Sequence, residues 1–243
     1  MPPARARKDK GMRNDRLIVA LDLDDLDEVK RIVESLGSEI GVYKVGQQLV
    51  TSVGPSAIAY LKSLDKEVFL DLKLHEIPNS VASAVRAAGR HGANLVTVHA
   101  SGGSEMLSAA VEAASEFERL RILALTVVTS LSDRDLRDIG FPEDGPTLAV
   151  RLARLAKASG CHGLIAFPVE TRDLRESIGD DVLIVTAGTR PTGSTSNDQH
   201  RIGTPGNAIS SGATHCIVGR PIVQSGNPLS VARSINAEIN AAS

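Results

Sequence analysis

Three observations predict that this chain folds as a single α/β domain, a (β/α)8 barrel of the TIM type. Apolar strand-like runs and amphipathic helical segments alternate from end to end, eight times over about 225 residues. The length of 243 residues suits that barrel. The hydrophobic share of 42% is aliphatic, with no Trp, two Tyr and four Phe; such side chains fit parallel strands buried on both faces.

The first strand is expected at 17–21, a run of five aliphatic residues, and an amphipathic helix at 25–36 follows it. The second strand is expected at 40–45 with a helix at 56–64, the third at 67–70 with a helix at 80–91, and the fourth at 95–98 with a helix at 105–118. Strands five and six are expected at 122–126 and 163–166 with a helix at 147–159 between them, and the last two at 182–185 and 216–218. A doubly wound open sheet is the competing architecture. No Gly-x-Gly-x-x-Gly follows the first strand, and no Gly-x-x-x-x-Gly-Lys-Ser/Thr occurs anywhere. No Pro-, Gly- or Ser-rich linker divides the chain, so residues 16–243 read as one domain.

Residues 1–15 read as a disordered basic tail. Six Lys and Arg cluster between Arg5 and Arg16 without periodicity or aromatics, and Met12 offers a second start. No apolar stretch follows that would form a signal-peptide core, and no run reaches membrane-spanning length. The net charge of −2 excludes a strongly basic nucleic-acid binder. Cys161 and Cys216 have no paired spacing and read as small buried thiols. These features describe a soluble, cytoplasmic protein that binds neither nucleic acid nor membrane.

The segment Asp71-Leu72-Lys73-Leu74-His75-Glu76-Ile77-Pro78-Asn79-Ser80 concentrates two carboxylates, a lysine and a histidine at the end of an apolar strand. Regular pleating puts Asp71 and Lys73 on one face. A lysine beside a carboxylate in a water-poor site keeps its proton until a strong base forms, which makes it a general acid. Polar residues also stand at other strand ends: Asp22, Lys44, His99, Thr126 with Thr129, Arg190, and Gly219-Arg220. Barrel enzymes keep their chemistry at those carboxyl ends. His75 reads as a residue that packs or caps at the strand-to-helix turn and His99 as a structural hydrogen-bonder. His91, His162, His200 and His215 read as surface or loop residues.

Two late segments suit an anion. Thr186-Ala187-Gly188-Thr189-Arg190-Pro191 and Ile217-Val218-Gly219-Arg220-Pro221 follow strands seven and eight, where barrels bind phosphate through glycine turns and a helix amino terminus. Arg190 and Arg220 would add bidentate donors. The polar stretch 191–199 between them reads as a lid over the phosphate.

From about Arg16 to the last helix the sequence resembles the short bacterial orotidine 5'-phosphate decarboxylases. The resemblance is carried by Ile18-Val19-Ala20-Leu21-Asp22, Lys44-Val45-Gly46, the Asp-x-Lys segment at 71–80 and Val98-His99-Ala100-Ser101-Gly102-Gly103. Gly188-Thr189-Arg190-Pro191, Asp198-Gln199 and Gly219-Arg220-Pro221 complete it. The resemblance implies a cofactor-free, metal-free decarboxylation of a small nucleotide in pyrimidine synthesis, by a homodimer with active sites shared across the interface. It implies a charged array of Lys44, Asp71, Lys73 and, from the partner subunit, residue 76. Lys73 would protonate the C6 carbanion, and Asp71 would hold it there and repel the substrate carboxylate. Asp22 and Lys44 would bind the ribose hydroxyls, Thr129 the pyrimidine, and Gln199 both base and phosphate. Arg190, Gly219 and Arg220 would hold the phosphate.

The sequence departs from that family pattern twice, with Glu76 in place of Asp and Ala187 where Pro is common. Glu76 keeps the charge and extends its carboxylate by about one ångström, a displacement that can cost roughly a hundredfold in rate. Two alternatives follow. One is a metal-dependent keto-sugar-phosphate decarboxylase or synthase on the same barrel, with Asp71, Glu76 and His99 as oxygen and nitrogen donors. The two lysines in that cluster oppose a cation. The other is a catalytically impaired nucleotide-binding paralogue, which only Glu76 favours.

Overall fold

The computed structural model describes residues 16–128, 130–189 and 203–242; the basic tail lies outside them. Eight parallel strands close into a barrel in chain order. They are β1 (Leu17–Ala20), β2 (Val42–Gly46), β3 (Glu67–Leu74), β4 (Leu95–His99), β5 (Arg121–Leu125), β6 (Gly163–Ala166), β7 (Leu183–Thr186) and β8 (His215–Val218). Closure pairs β1 with β8, Ile18 opposite Ile217. The helices α1 (Leu26–Leu36), α2 (Gln47–Val53), α3 (Ser56–Ser63), α4 (Pro78–Arg90) and α5 (Gly103–Ser115) fill the first four crossovers. The remainder of the chain supplies α6 (Asp133–Asp138), α7 (Gly145–Ala158), α8 (Thr171–Ile178), α9 (Pro205–Ser210), α10 (Arg220–Val223) and α11 (Pro228–Ala241). The expected alternation is present; α2, α6 and α10 are short additions that the apolar periodicity did not signal.

Local chemistry sets several helix starts. Asp25 caps α1 by accepting from the N–H groups of Asp27 and Glu28, Ser132 and Asp135 form a capping box on α6, and Pro78 opens α4. Inside the barrel, Ile18, Ala20, Val42, Phe69, Leu95 and Leu123 belong to one apolar cluster, separate from the larger shell between strands and helices. That interior is full: a Cβ on Gly163 would lie 2.6 Å from both Leu123 and Leu183. Two residues further along the same faces stand Asp22 after Ala20, Lys44 after Val42, Asp71 after Phe69 and Thr97 after Leu95. The apolar plug thus gives way to polar groups at the carboxyl end.

Of the histidines expected at the surface or in loops, His162 is in a loop and His215 is not. His162 is half-buried, and its Nδ1 accepts the Ile122 N–H at 3.1 Å. His215 begins β8, is only 8% exposed and has Nδ1 2.9 Å from the Thr214 hydroxyl. Both rings sit at the amino ends of strands, where the His162 ring takes a backbone N–H and the His215 ring meets a side-chain hydroxyl; nothing in their local sequence signals either contact. His91 ends α4 and is exposed; His200 lies outside the described residues. Cys161 and Cys216 are buried free thiols, and burial pushes them up to about 12 and about 11 respectively.

Candidate active site

The side chains of four neighbouring strands meet at the carboxyl end of the barrel. Lys44 Nζ lies 2.9 Å from Asp22 Oδ1 and 3.5 Å from Asp71 Oδ2, and Lys73 Nζ lies 2.7 Å from the same Asp71 oxygen. The Thr97 hydroxyl donates to Asp71 Oδ1 at 2.9 Å. The result is an alternating row, Asp22–Lys44–Asp71–Lys73, with a buried carboxylate at its centre. Lys44 and Asp71 are 8% and 7% exposed, while Asp22 and Lys73 reach solvent. Gly46 makes room for the row, since a Cβ there would stand 3.0 Å from both Asp22 Oδ1 and Lys44 Nζ.

Burial alone would raise the Asp71 carboxyl. The Lys44 and Lys73 ammoniums, with the hydrogen bonds from Lys73 and Thr97, outweigh that and hold it below its ordinary value. Asp71 is therefore ionised at neutral pH, and both lysines are anchored by it.

Lys73 reaches Asp71 by a route other than regular pleating. The β3–β4 register breaks between Leu70 and Leu74, and Lys73 sits at φ +53°. A left-handed conformation at a non-glycine residue costs about 1–3 kcal/mol and is retained where its surroundings over-determine it. A bulge of this kind re-aims a side chain beside a site. Strand β3 also runs four residues past its expected end, because Leu72 and Leu74 continue to pack against the outer shell.

Beside the charged row, a pocket of about 250 Å3 opens between the strand ends. Leu125, Val128, Ile165 and Phe167 give it apolar lining, and Gly188, Thr189, Gly219 and Arg220 line it as well. Thr189 Oγ1 donates to the Ile217 carbonyl at 2.8 Å, tying the segment after β7 to β8. An apolar lining, two ammoniums and a glycine–arginine rim suit an anionic ligand that carries a second anionic group.

Of the residues singled out in the sequence, Asp22, Lys44, Asp71, Lys73, Gly219 and Arg220 line this one pocket. Ala187 lines it too. Glu76 does not join them: it is exposed on the turn before α4 and, among the described residues, makes no hydrogen bond or ion pair within the chain. Thr129, Arg190, Gln199 and the proposed lid at 191–199 lie outside the described residues. Thr126 follows β5 but is buried, with its hydroxyl unpartnered among the described residues. His75 stacks on His99 at a centroid separation of 5.3 Å, so the expected packing role of His75 holds, and the contact found for His99 is a ring face. Burial first, then His75 and Lys73, lower the His99 pKa. Thr97 is the site residue the sequence did not flag; a threonine amid Leu95-Val96-Thr97-Val98 reads as an ordinary strand residue.

Among the described residues no three His, Cys, Asp or Glu side chains gather as a possible metal-binding group, and no helix is long and apolar enough to cross a membrane.

Comparison with known proteins agrees with this geometry. A family model described as orotidine 5'-phosphate decarboxylase / HUMPS family matches residues 15–235. An orotidine 5'-phosphate decarboxylase from Trichlorobacter lovleyi is 44% identical over 228 residues, 92% of this chain and 95% of that protein. One from Heliobacterium modesticaldum is 44% identical over 232 residues, covering 93% and 96% respectively. The crystal structure of orotidine 5'-phosphate decarboxylase from Lactobacillus acidophilus is similar at a TM-score of 0.83 and 35% identity, covering 92% of this chain and 98% of that one. On its sequence, its barrel and its relatives, this chain belongs to the orotidine 5'-phosphate decarboxylase / HUMPS family.

Proposed function

We propose that the protein decarboxylates orotidine 5'-phosphate to uridine 5'-phosphate, the closing step of pyrimidine nucleotide synthesis, without a cofactor. The observation that carries this reading is the Lys44–Asp71–Lys73 row at the edge of the pocket. In the reaction the C6–carboxylate bond breaks, CO2 leaves, and the electron pair stays on C6. That ring delocalises the pair poorly, so an ammonium fixed beforehand stabilises it without solvent rearrangement. Lys73 then transfers its proton to C6 and the product forms. Asp71, kept ionised by its two ammoniums, holds Lys73 in place.

Asp22 and Lys44 take the ribose hydroxyls; Thr129 contacts the base, and Gln199 both base and phosphate; Arg190, Gly219 and Arg220 take the phosphate. The phosphate is remote from the breaking bond, and its binding energy serves to close the site around the right substrate. Glu76 acts across a homodimer interface. Its exposed carboxylate, unpaired among the described residues and next to Ile77, itself 63% exposed, supports that placement. Such an enzyme works in the cytoplasm.

The experiment is loss of orotidine 5'-phosphate absorbance on adding purified protein, with EDTA throughout. Chelator-insensitive turnover to uridine 5'-phosphate is expected. Turnover abolished by EDTA would favour a metal-dependent sugar-phosphate enzyme. Tight uridine 5'-phosphate binding without turnover would favour a nucleotide-binding paralogue and implicate Glu76.

A further inference from the structure

Between the pairs Leu70–Val96 and Leu74–Val98, three residues of β3, 71 to 73, face one residue of β4, Thr97. A single peptide unit cannot satisfy three, so the ladder needs an extra partner at this point. The Thr97 side chain supplies it. Its hydroxyl accepts the Lys73 N–H at 2.8 Å and donates its own proton to Asp71 Oδ1 at 2.9 Å. Thr97 is 0% exposed, so water does not compete for either bond.

We propose that Thr97 is a positioning residue for the decarboxylation proposed above, on which this inference rests. One bond holds the Lys73 backbone in its left-handed conformation, at φ +53°. The other turns the Asp71 carboxylate so that Oδ2, rather than Oδ1, faces both Lys44 and Lys73. Only a group that donates and accepts at once can do both, and a hydroxyl meets that requirement. A valine fills the same space and does neither.

The test compares Thr97→Val, which keeps shape and loses the hydroxyl, with Thr97→Ser, which keeps the hydroxyl and loses a methyl. Turnover gives kcat and KM for orotidine 5'-phosphate, and titration gives affinity for uridine 5'-phosphate. Thr97→Val is expected to lower kcat on the order of a hundredfold, with nucleotide affinity nearly unchanged, as an ångström-scale misplacement does. Thr97→Ser should stay within about threefold of the parent. Wild-type kcat in Thr97→Val overturns the proposal, as does a Thr97→Ser variant that is equally slow, because that pattern reports packing. Should Thr97→Val not fold, Thr97→Ala replaces it: slow turnover supports the proposal and parental turnover overturns it. A parent protein without turnover defeats the proposed function instead. The crystal structure of Thr97→Val then decides: Lys73 leaving its left-handed conformation supports positioning, and an unchanged Lys73–Asp71 contact overturns it.

Discussion

The two ends of the barrel bury polar side chains in opposite ways. At the amino end they bond to backbone. Lys66 donates to the Gly37 and Ile40 carbonyls, Asn94 accepts the Val68 N–H, His162 accepts the Ile122 N–H, and Thr214 exchanges two bonds with Ile184. At the carboxyl end the charged row bonds within itself: Asp22 to Lys44, Lys44 to Asp71, Asp71 to Lys73 and to the Thr97 hydroxyl. The first arrangement satisfies peptide groups left over where strands begin and stabilises the fold. The second leaves charges balanced only by other charges, beside a pocket, where a ligand's charge can join them. One barrel thus separates its stability from its chemistry along its axis.

Removing the lysine of the bulge gives the largest effect that would break this division. Lys73→Ala should lower kcat on the order of 10^4-fold, the upper range for loss of a positioned general acid, while the thermal midpoint stays near the parent's. Lys73 is partly solvent-exposed, so its loss opens no sealed cavity. A collapse of the midpoint would show that the row also holds the barrel together.

At the other end, His215 should govern acid stability and not turnover. Burial first, then Arg16 and Arg121, lowers its pKa to about 4. The unfolded chain takes up that proton near the ordinary histidine value of about 6.5. The stability contributed by the neutral ring is therefore complete above about pH 6.5 and is lost as pH falls toward 4. The loss is on the order of 3 kcal/mol, at about 1.4 kcal/mol for each pH unit. Denaturant melts of the parent and His215→Asn at pH 7 and pH 4.5 should show the variant losing less on acidification. An identical pH dependence would remove His215 from the account, and a changed kcat at pH 7 would join the two ends.

The smallest effect is expected at the exposed edge. Glu76→Asp should change kcat by less than about tenfold, because an exposed side chain without a bond among the described residues can adjust by one methylene. A hundredfold gain on measuring kcat would show that the interface holds this carboxylate rigidly and that glutamate is misplaced in it.

The period of the apolar runs made the barrel legible, since each strand had to be aliphatic on both faces and each helix on one. Asp22, Lys44, Asp71 and Lys73 were legible for a related reason: charges at the ends of buried strands conflict with burial unless they serve a site. Glu76 and Ile77 were legible as residue types, but their exposure was not. The short α2 and α6 were missed because seven and six residues carry too little periodicity.

Composition and spacing alone established an aliphatic α/β barrel with its charges gathered at one end, because both depend on patterns that the chain carries locally. How Lys73 meets Asp71 was a matter for the assembled molecule. Pleating would have aligned them without help, yet the contact is made through a bulge that only the pairing of β3 with β4 creates. Thr97 acquires its two bonds from that same pairing, 24 and 26 residues away in sequence. Hydrogen-bond partners so distant along the chain leave no local trace, which is why the hydroxyl at the centre of the site looked like an ordinary strand residue.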